Sequence, residues 1–156
     1  MCDAKVGLLL AGDDFATAKQ AALQADSAGF YSVSMIDHFF TPLGELQTPL
    51  LECYTTLTAI AAVPERVRLT SCVTCISFRT PPMIAKIAST LDNVSNGRLT
   101  LGLDAGGKPD EYLAYGYAYP SNRERLDQPE EAIRVLKAMF RQEEPSFLGK
   151  HFSIEK

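Results

Sequence analysis

Three places in the chain carry residue types able to do chemistry. Asp37 and His38 stand side by side after an apolar, β-branched run, with Phe39 and Phe40 behind them. An imidazole beside a carboxylate can take up or release a proton near neutral pH. The same dipeptide also suits structure, with Asp37 capping a loop and His38 packing on Phe39, and the dipeptide alone does not choose. The second place is Asp104-Ala105-Gly106-Gly107, directly after Leu99-Thr100-Leu101-Gly102-Leu103. Bare backbone lets a planar ring come close, and it equally suits a tight turn that needs positive φ. These glycines lack both the GK[ST] ending of a phosphate loop and the GxGxxG spacing of a dinucleotide fingerprint. The third place is Cys72 and Cys75, a CxxC pair of the kind that can hold zinc or run redox chemistry. Here the pair lies inside a strand-like run with Val73, Thr74 and Ile76, where positions three apart face opposite sides. There is no second CxxC, and His38 and His151 are the only histidines. Two small buried thiols are therefore expected.

These residues need elements to hold them. Lys5–Leu10 reads as a short apolar strand. Phe15–Ala28 carries Phe15, Ala18, Ala22, Ala25 and Ala28 at helical spacing, with Gly29 where a helix-ending glycine belongs. Phe30–Ile36 reads as a second strand. Thr48 offers an N-cap and Pro49 a first-turn proline for a helix over Leu50–Ala62, which ends before Pro64. Val67–Ile76 reads as a third strand, and its small polar residues suit either a ligand rim or plain packing. Pro82–Val94 is a third helix with Ile84, Ile87, Ala88 and Leu91 on one face, stopped by Ser95-Asn96-Gly97. Arg98–Leu103 is a fourth strand. Pro109–Tyr115 reads as a short helix, followed by an aromatic loop, Tyr115–Pro120. Asp127–Arg141 forms a longer helix, with Asp127 as cap, Pro129 in its first turn and Ile133, Leu136, Met139 and Phe140 as its apolar stripe. Phe147–Ile154 alternates weakly around Gly149 and reads as a small hairpin.

Strand and helix alternate four times, which implies an α/β fold of parallel strands joined by right-handed crossovers. An open parallel sheet and part of a (βα)8 barrel both fit. In either, ligands bind beyond the carboxyl ends of the strands, where Asp37-His38 and Ala105-Gly106 fall. The strands read as near-continuous apolar runs, as in sheets covered on both faces. A length of 156 residues suits a single domain spanning 1–156. The formal net charge of −4 argues against a nucleic-acid partner, which wants a basic patch. No apolar run is long enough for a transmembrane helix, and the start lacks the basic-then-apolar pattern of a signal peptide. A cytoplasmic protein without a membrane partner is expected.

Taken in order, the strand ends and the segments between them resemble the luciferase-like monooxygenase superfamily. The matching pieces include Ala28-Gly29-Phe30, Asp37-His38-Phe39, Pro49-Leu50-Leu51-Glu52 and Glu65-Arg66-Val67-Arg68-Leu69. Phe78-Arg79, Asn96-Gly97-Arg98-Leu99, Leu101-Gly102-Leu103, Glu111 and Tyr115-Gly116 follow. Glu124-Arg125-Leu126, Glu130-Glu131-Ala132-Ile133 and the tail from Phe147 to Phe152 complete the set. No single piece is specific, but the ordered set is, and it covers nearly the whole chain. The resemblance implies about half of a TIM-barrel-like (βα)8 fold, its N-terminal half. It also implies an oxidoreductase that transfers hydride to or from a small organic substrate with coenzyme F420, or alternatively FMN. Thr55-Thr56-Leu57 and Glu65-Arg66 look more like the F420-dependent branch. By the same resemblance, Asp37 and His38 lie beside the cofactor ring, and His38 assists proton or hydride chemistry. The family often has a non-prolyl cis peptide in the third strand, behind the ring, which maps to Cys72-Val73. Ala105 and Gly106 match its cofactor-contacting turn.

This sequence departs from the family in places. Gly107 stands where some sugar-phosphate dehydrogenases of the family carry glutamate, Asp104 replaces a usual glycine, and Cys75 stands where proline or threonine is common. Family members have about twice as many residues, and their other half carries much of the cofactor's phosphate site. Four βα units leave two strand edges and an apolar inner face. The alternative expectation is therefore a non-catalytic half-barrel that forms a homo-oligomer or pairs with a partner half-barrel.

Overall fold

The computed structural model describes residues 4–10, 12–41 and 50–156. The chain comprises two compact units, one of Met1–Thr74 with Thr90–Gly102 and one of Cys75–Ser89 with Leu103–Lys156. In chain order the elements are β1 (Gly7–Leu9), α1 (Phe15–Ser27), β2 (Ser32–Met35), α2 (Cys53–Ala61), β3 (Arg68–Cys75) and α3 (Pro81–Val94). They continue with β4 (Leu99–Asp104), α4 (Pro109–Ala114), α5 (Asn122–Arg141), β5 (Phe147–Leu148) and β6 (Ser153–Ile154).

Four parallel strands interleaved with helices form an open sheet in the order β1-β2-β3-β4. The order never reverses, so the sheet has no switch point of the doubly wound kind. Right-handed crossovers in a constant direction send successive helices to the same side. Register places Gly7, Ser32 and Arg68 in one row, and Leu9, Ser34 and Thr70 in the row two residues on. These rows share a face, and on it Leu9 is 43% exposed while Ser34 and Thr70 are half-buried. The opposite face carries Val33, Met35, Leu69 and Ser71, all buried. Helices α1 and α2 pack against β2, and α1 presents buried Ala18, Ala22 and Ala25. Among the described residues the sheet is thus covered on one face, not on two as the apolar runs suggest.

In the first unit, polar side chains tie the helix ends to the amino ends of the strands. Asp14 caps α1 by accepting from Thr17 N at 2.7 Å, and Gly29 follows the helix at φ +78°. The expected Thr48 cap and Pro49 lie outside the described residues, and the cap of α2 is Glu52, which accepts from Thr55 N. Arg98 donates to three carbonyls, Ala61 O at 2.7 Å, Ser95 O at 2.7 Å and Val67 O at 3.1 Å. One guanidinium thereby satisfies acceptors at two helix ends and one strand entrance. The Ser95-Asn96-Gly97 stop holds, with Asn96 at φ 54° and Gly97 at φ 78°.

In the second unit, α5 begins five residues before the expected Asp127. Ser121 and Glu124 form a reciprocal capping box, a stronger start than a lone aspartate, and Pro129 falls inside the helix. Its buried residues are Ala132, Val135, Leu136 and Ala138, whereas Ile133 and Phe140 of the expected stripe are exposed. The β5–β6 hairpin forms as expected. Glu131 holds its turn by accepting from the backbone of Lys150, His151 and Phe152 at 2.8–3.0 Å.

Asp26 is the hinge between α1 and the entrance to β3. Its Oδ1 accepts from Arg66 N at 2.9 Å and Val67 N at 2.8 Å, and the Arg66 guanidinium lies 3.5 Å from Oδ2. Burial pushes its pKa up, but the two backbone donors and the arginine outweigh this and hold it below the usual carboxylate range. The charge therefore stabilises the fold above the unfolded pKa of about 3.9, and the contribution fades as pH falls through the lower folded value. Asp26→Ala leaves two strand-entrance donors unpaired and is expected to cost about 1–3 kcal/mol near neutral pH. Urea denaturation checks this: the gap between wild type and variant should narrow as pH falls below about 4, and a pH-independent gap contradicts it.

Candidate functional site

In the first unit, β2 ends at Met35, which is in register with Ser71 of β3. Asp37-His38 therefore follow β2 at the level of Cys72-Val73, which lie within the carboxyl-terminal half of the adjacent β3. Asp37 is only 5% exposed, His38 is half-buried and Phe39 is exposed. Cys72 is exposed, Val73 is half-buried, and the peptide bond between them is cis, at the position the family resemblance singled out. Cys75 is buried, so the expectation of two buried thiols holds for one of them. Alternation along β3 places Cys72 on the face of Thr70, which no helix covers in the described residues. Cys53, Cys72 and Cys75 are free thiols. Among the described residues, no cluster of three or more His, Cys, Asp or Glu side chains could hold a metal ion.

A chain of hydroxyls brackets Cys72-Val73 from behind. Thr74 Oγ1 donates to Ser71 Oγ at 2.9 Å. Ser71 Oγ in turn donates to Gly102 O at 3.2 Å and accepts from Gly102 N at 3.1 Å. The Tyr54 hydroxyl, on α2, is bonded to Thr74 Oγ1. Each hydroxyl has one proton to give, so Tyr54 must donate to Thr74, and the protons run one way from Tyr54 to the Gly102 carbonyl. Burial pushes the Tyr54 pKa up to about 12, aided by the charges of Cys53 and Asp37 and opposed by the bonds to Thr74 and Ser71. Tyr54 is thus a fixed donor at neutral pH rather than a base. A side chain at Gly102 would put Cβ 2.4 Å from Ser71 O and 2.9 Å from Val73 Cγ1, so only glycine fits beside this segment.

The second unit carries the glycine turn. Gly106 has φ +67°, and its N–H donates to Asp104 Oδ1 at 2.7 Å. Asp104, a departure from the family pattern, thus supplies the acceptor that closes the turn. A Cβ on Gly106 would lie 1.8 Å from Tyr112 Oη, so the position needs glycine for both conformation and space. Tyr112 is buried, its hydroxyl lies 3.1 Å from Cys75 Sγ, and burial followed by that thiol raises its pKa well above the ordinary tyrosine range. Phe78 and Tyr119 pack on Tyr112 with centroids 5.2 and 5.0 Å away, and Tyr117 lies 5.0 Å from Phe78. The aromatic loop thereby walls the turn. Ala105 is half-buried, and Gly107 is exposed with open space where a Cβ would stand.

The sequence singles out Asp37, His38, Cys72, Val73, Ala105 and Gly106 as candidates and offers Ser71 and Thr74 only as small polar residues of the third strand, while Tyr54 and Tyr112 are not singled out. Their only signal was hydroxyl groups at positions that otherwise read as core.

A family model described as luciferase-like monooxygenase matches residues 2–156. The chain belongs to the luciferase-like monooxygenase family. This luciferase-like chain is 31% identical over 153 residues to an F420-dependent glucose-6-phosphate dehydrogenase of Kineococcus radiotolerans, covering 96% of this chain and 45% of that one. It is 32% identical over 143 residues to the pyrimidine monooxygenase RutA of Pseudomonas syringae pv. syringae, covering 88% of this chain and 39% of that one. Among solved structures, an F420-dependent secondary alcohol dehydrogenase in complex with an F420-acetone adduct superposes with a TM-score of 0.86 at 25% identity, over 97% of this chain and 47% of that one. The chain thus spans about half the length of the relatives it matches. Among the described residues no helix is long and apolar enough to cross a membrane.

The Tyr54 hydroxyl can be tested by its linkage to pH. A pKa of about 12 in the fold against about 10 unfolded means that its stabilising effect is complete below about pH 10 and is lost as pH rises toward 12. Tyr54→Phe should cost about 1 kcal/mol near neutral pH and should flatten the alkaline loss of stability between those limits. Denaturation curves measured across that window check both; an unchanged alkaline slope contradicts the assignment. Gly102→Ala, which drives Cβ into Ser71 O, should be the more damaging change, by about 2 kcal/mol or more in the same measurement.

Proposed function

We propose that this luciferase-like chain forms the ring-binding part of an oxidoreductase that uses coenzyme F420, with FMN as the alternative, and transfers hydride to or from a small organic substrate. The observation that carries the reading is that Asp37-His38, just past the end of β2, stand level with Cys72-Val73 in the carboxyl-terminal half of the adjacent parallel strand β3, the end where ligands of such folds bind. The F420-dependent names of the Kineococcus radiotolerans relative and of the alcohol dehydrogenase favour F420. The residues present suit a ring rather than its phosphates. Asp37, His38, Cys72, Val73, Ala105 and Gly106 include no lysine or arginine, and they offer an imidazole, an apolar surface and accessible backbone.

When bound, F420 supplies two-electron hydride transfer, and FMN adds reaction with oxygen. In the proposal His38 holds or delivers, at its imidazole, the proton that balances hydride leaving or reaching the substrate carbon. Asp37, buried and next to it in sequence, lines the same site in the proposal. In the proposal Cys72 and Val73 are the candidate ring contacts of the first unit; Ala105 and Gly106 are the candidates the second unit offers by itself. The reading includes a partner for the half-exposed sheet face around Leu9 and Thr70, either a second copy or another half-barrel, which sedimentation at graded concentration would reveal.

Absorbance and fluorescence titrations with F420, and separately with FMN, test the reading. Saturable binding of at least one is expected. Where turnover is measurable, His38→Ala should lower it by about 100-fold or more without abolishing cofactor binding. A folded protein that binds neither cofactor contradicts the proposal.

A further inference from the structure

Arg125 performs a task that neither the motif set nor the family match assigns to it. Its Nη1 donates to the carbonyl of Gly106, and its Nη2 donates to Asn122 Oδ1 at 2.6 Å. The guanidinium lies 4.8 Å above the Tyr119 ring. Its Nε is buried without a hydrogen-bond partner among the described residues. The Gly106 turn is therefore gripped on three sides, with Asp104 at its N–H, Tyr112 against its Cα and Arg125 at its carbonyl.

We propose that Arg125 is a positioning residue that fixes the Gly106–Gly107 peptide in the orientation the cofactor meets. This rests on the reading of Ala105-Gly106 as a cofactor contact. A peptide between two glycines rotates at little steric cost, so its facing groups are not set by the local backbone alone. The peptide unit is planar and trans, so its C=O and N–H point in opposite directions. With the Gly106 carbonyl fastened to Arg125, the Gly107 N–H is presented on the other edge, beside a residue that is exposed and surrounded by open space. That N–H is a donor suited to an acceptor edge of a deazaflavin or flavin ring. Without Arg125 the peptide can turn its carbonyl to the same place and repel that edge. Lysine retains one donor for the carbonyl but not the planar fork or the stacking on Tyr119.

The test compares Arg125→Met and Arg125→Lys with wild type in three measurements: affinity for F420 and FMN, melting temperature, and the backbone amide spectrum. Arg125→Met should weaken the cofactor that wild type binds by about tenfold or more and shift the Gly107 amide, while leaving the melting temperature nearly unchanged. Arg125→Lys should recover most of the affinity. If wild type binds but Arg125→Met binds equally well, the Arg125 inference fails and the cofactor reading stands. Loss of affinity with an unmoved Gly107 amide, or loss that tracks a fall in melting temperature with no rescue by lysine, also overturns it. If wild type binds neither cofactor, both fall together. Should Arg125→Met not fold, Asn122→Ala, which frees one arm of the guanidinium at an exposed position, is expected to give a smaller loss in the same direction, and no loss overturns the inference.

Discussion

The hydroxyl of Ser71 does for β3 what backbone does elsewhere in the sheet. It both receives a hydrogen bond from Gly102 N and returns one to Gly102 O, so the ladder to β4 continues through a side chain. Thr74 and Tyr54 extend the chain and give the Ser71 hydroxyl a fixed proton direction. Buried hydroxyls left half-satisfied are costly, and fully satisfied ones rigidify their surroundings. The Cys72-Val73 segment is thus flanked by fully buried Ser71 and Thr74.

This arrangement follows from how a consecutive parallel sheet is built. Crossovers of one hand put α1 and α2 over the Val33, Met35 and Leu69 face and leave the Leu9, Thr70 and Cys72 face uncovered in the described residues. In a (βα)8 barrel the equivalent face is packed by the remaining strands, and the relatives that this chain matches are about twice its length. The carboxyl end of β2 that precedes Asp37-His38 therefore belongs to a helix-packed strand, while no helix covers the sheet's other face among the described residues. Each unit has a glycine whose close neighbours leave no room for a side chain. Gly102 stands beside Ser71 and Val73 in the first, and Gly106 beside Tyr112 in the second.

Most of the architecture was legible in the sequence because it rests on strong local signals. Apolar runs ended by Gly29, Pro64 and Asn96-Gly97 fixed the βα alternation, and ordered short motifs pointed to the luciferase-like family and to the cis position at Cys72-Val73. The misreadings came where two local signals competed. Asp127 looked like a cap for α5, but the Ser121–Glu124 box satisfies two donors at once and starts the helix earlier, which carries Pro129 into its interior. Ile133 and Phe140 looked like core by type, yet both are exposed, and the buried face carries the expected Leu136 together with Ala132, Val135 and Ala138. The hydroxyl chain was illegible because its members are distant in sequence and each alone is ordinary strand or helix material. Arg125 was visible only as part of a motif, since its target, the Gly106 carbonyl, lies nineteen residues away.

The most direct measurement is a map of backbone amide shifts on adding F420, and then FMN, to the isotopically labelled chain. Perturbations concentrated at His38, Cys72, Val73, Ala105, Gly106 and Gly107 are the result that a ring seated at the carboxyl ends of the strands requires. Perturbations confined to the amino ends of the strands, around Lys5, Tyr31 and Arg66, or none at saturating cofactor, would contradict it.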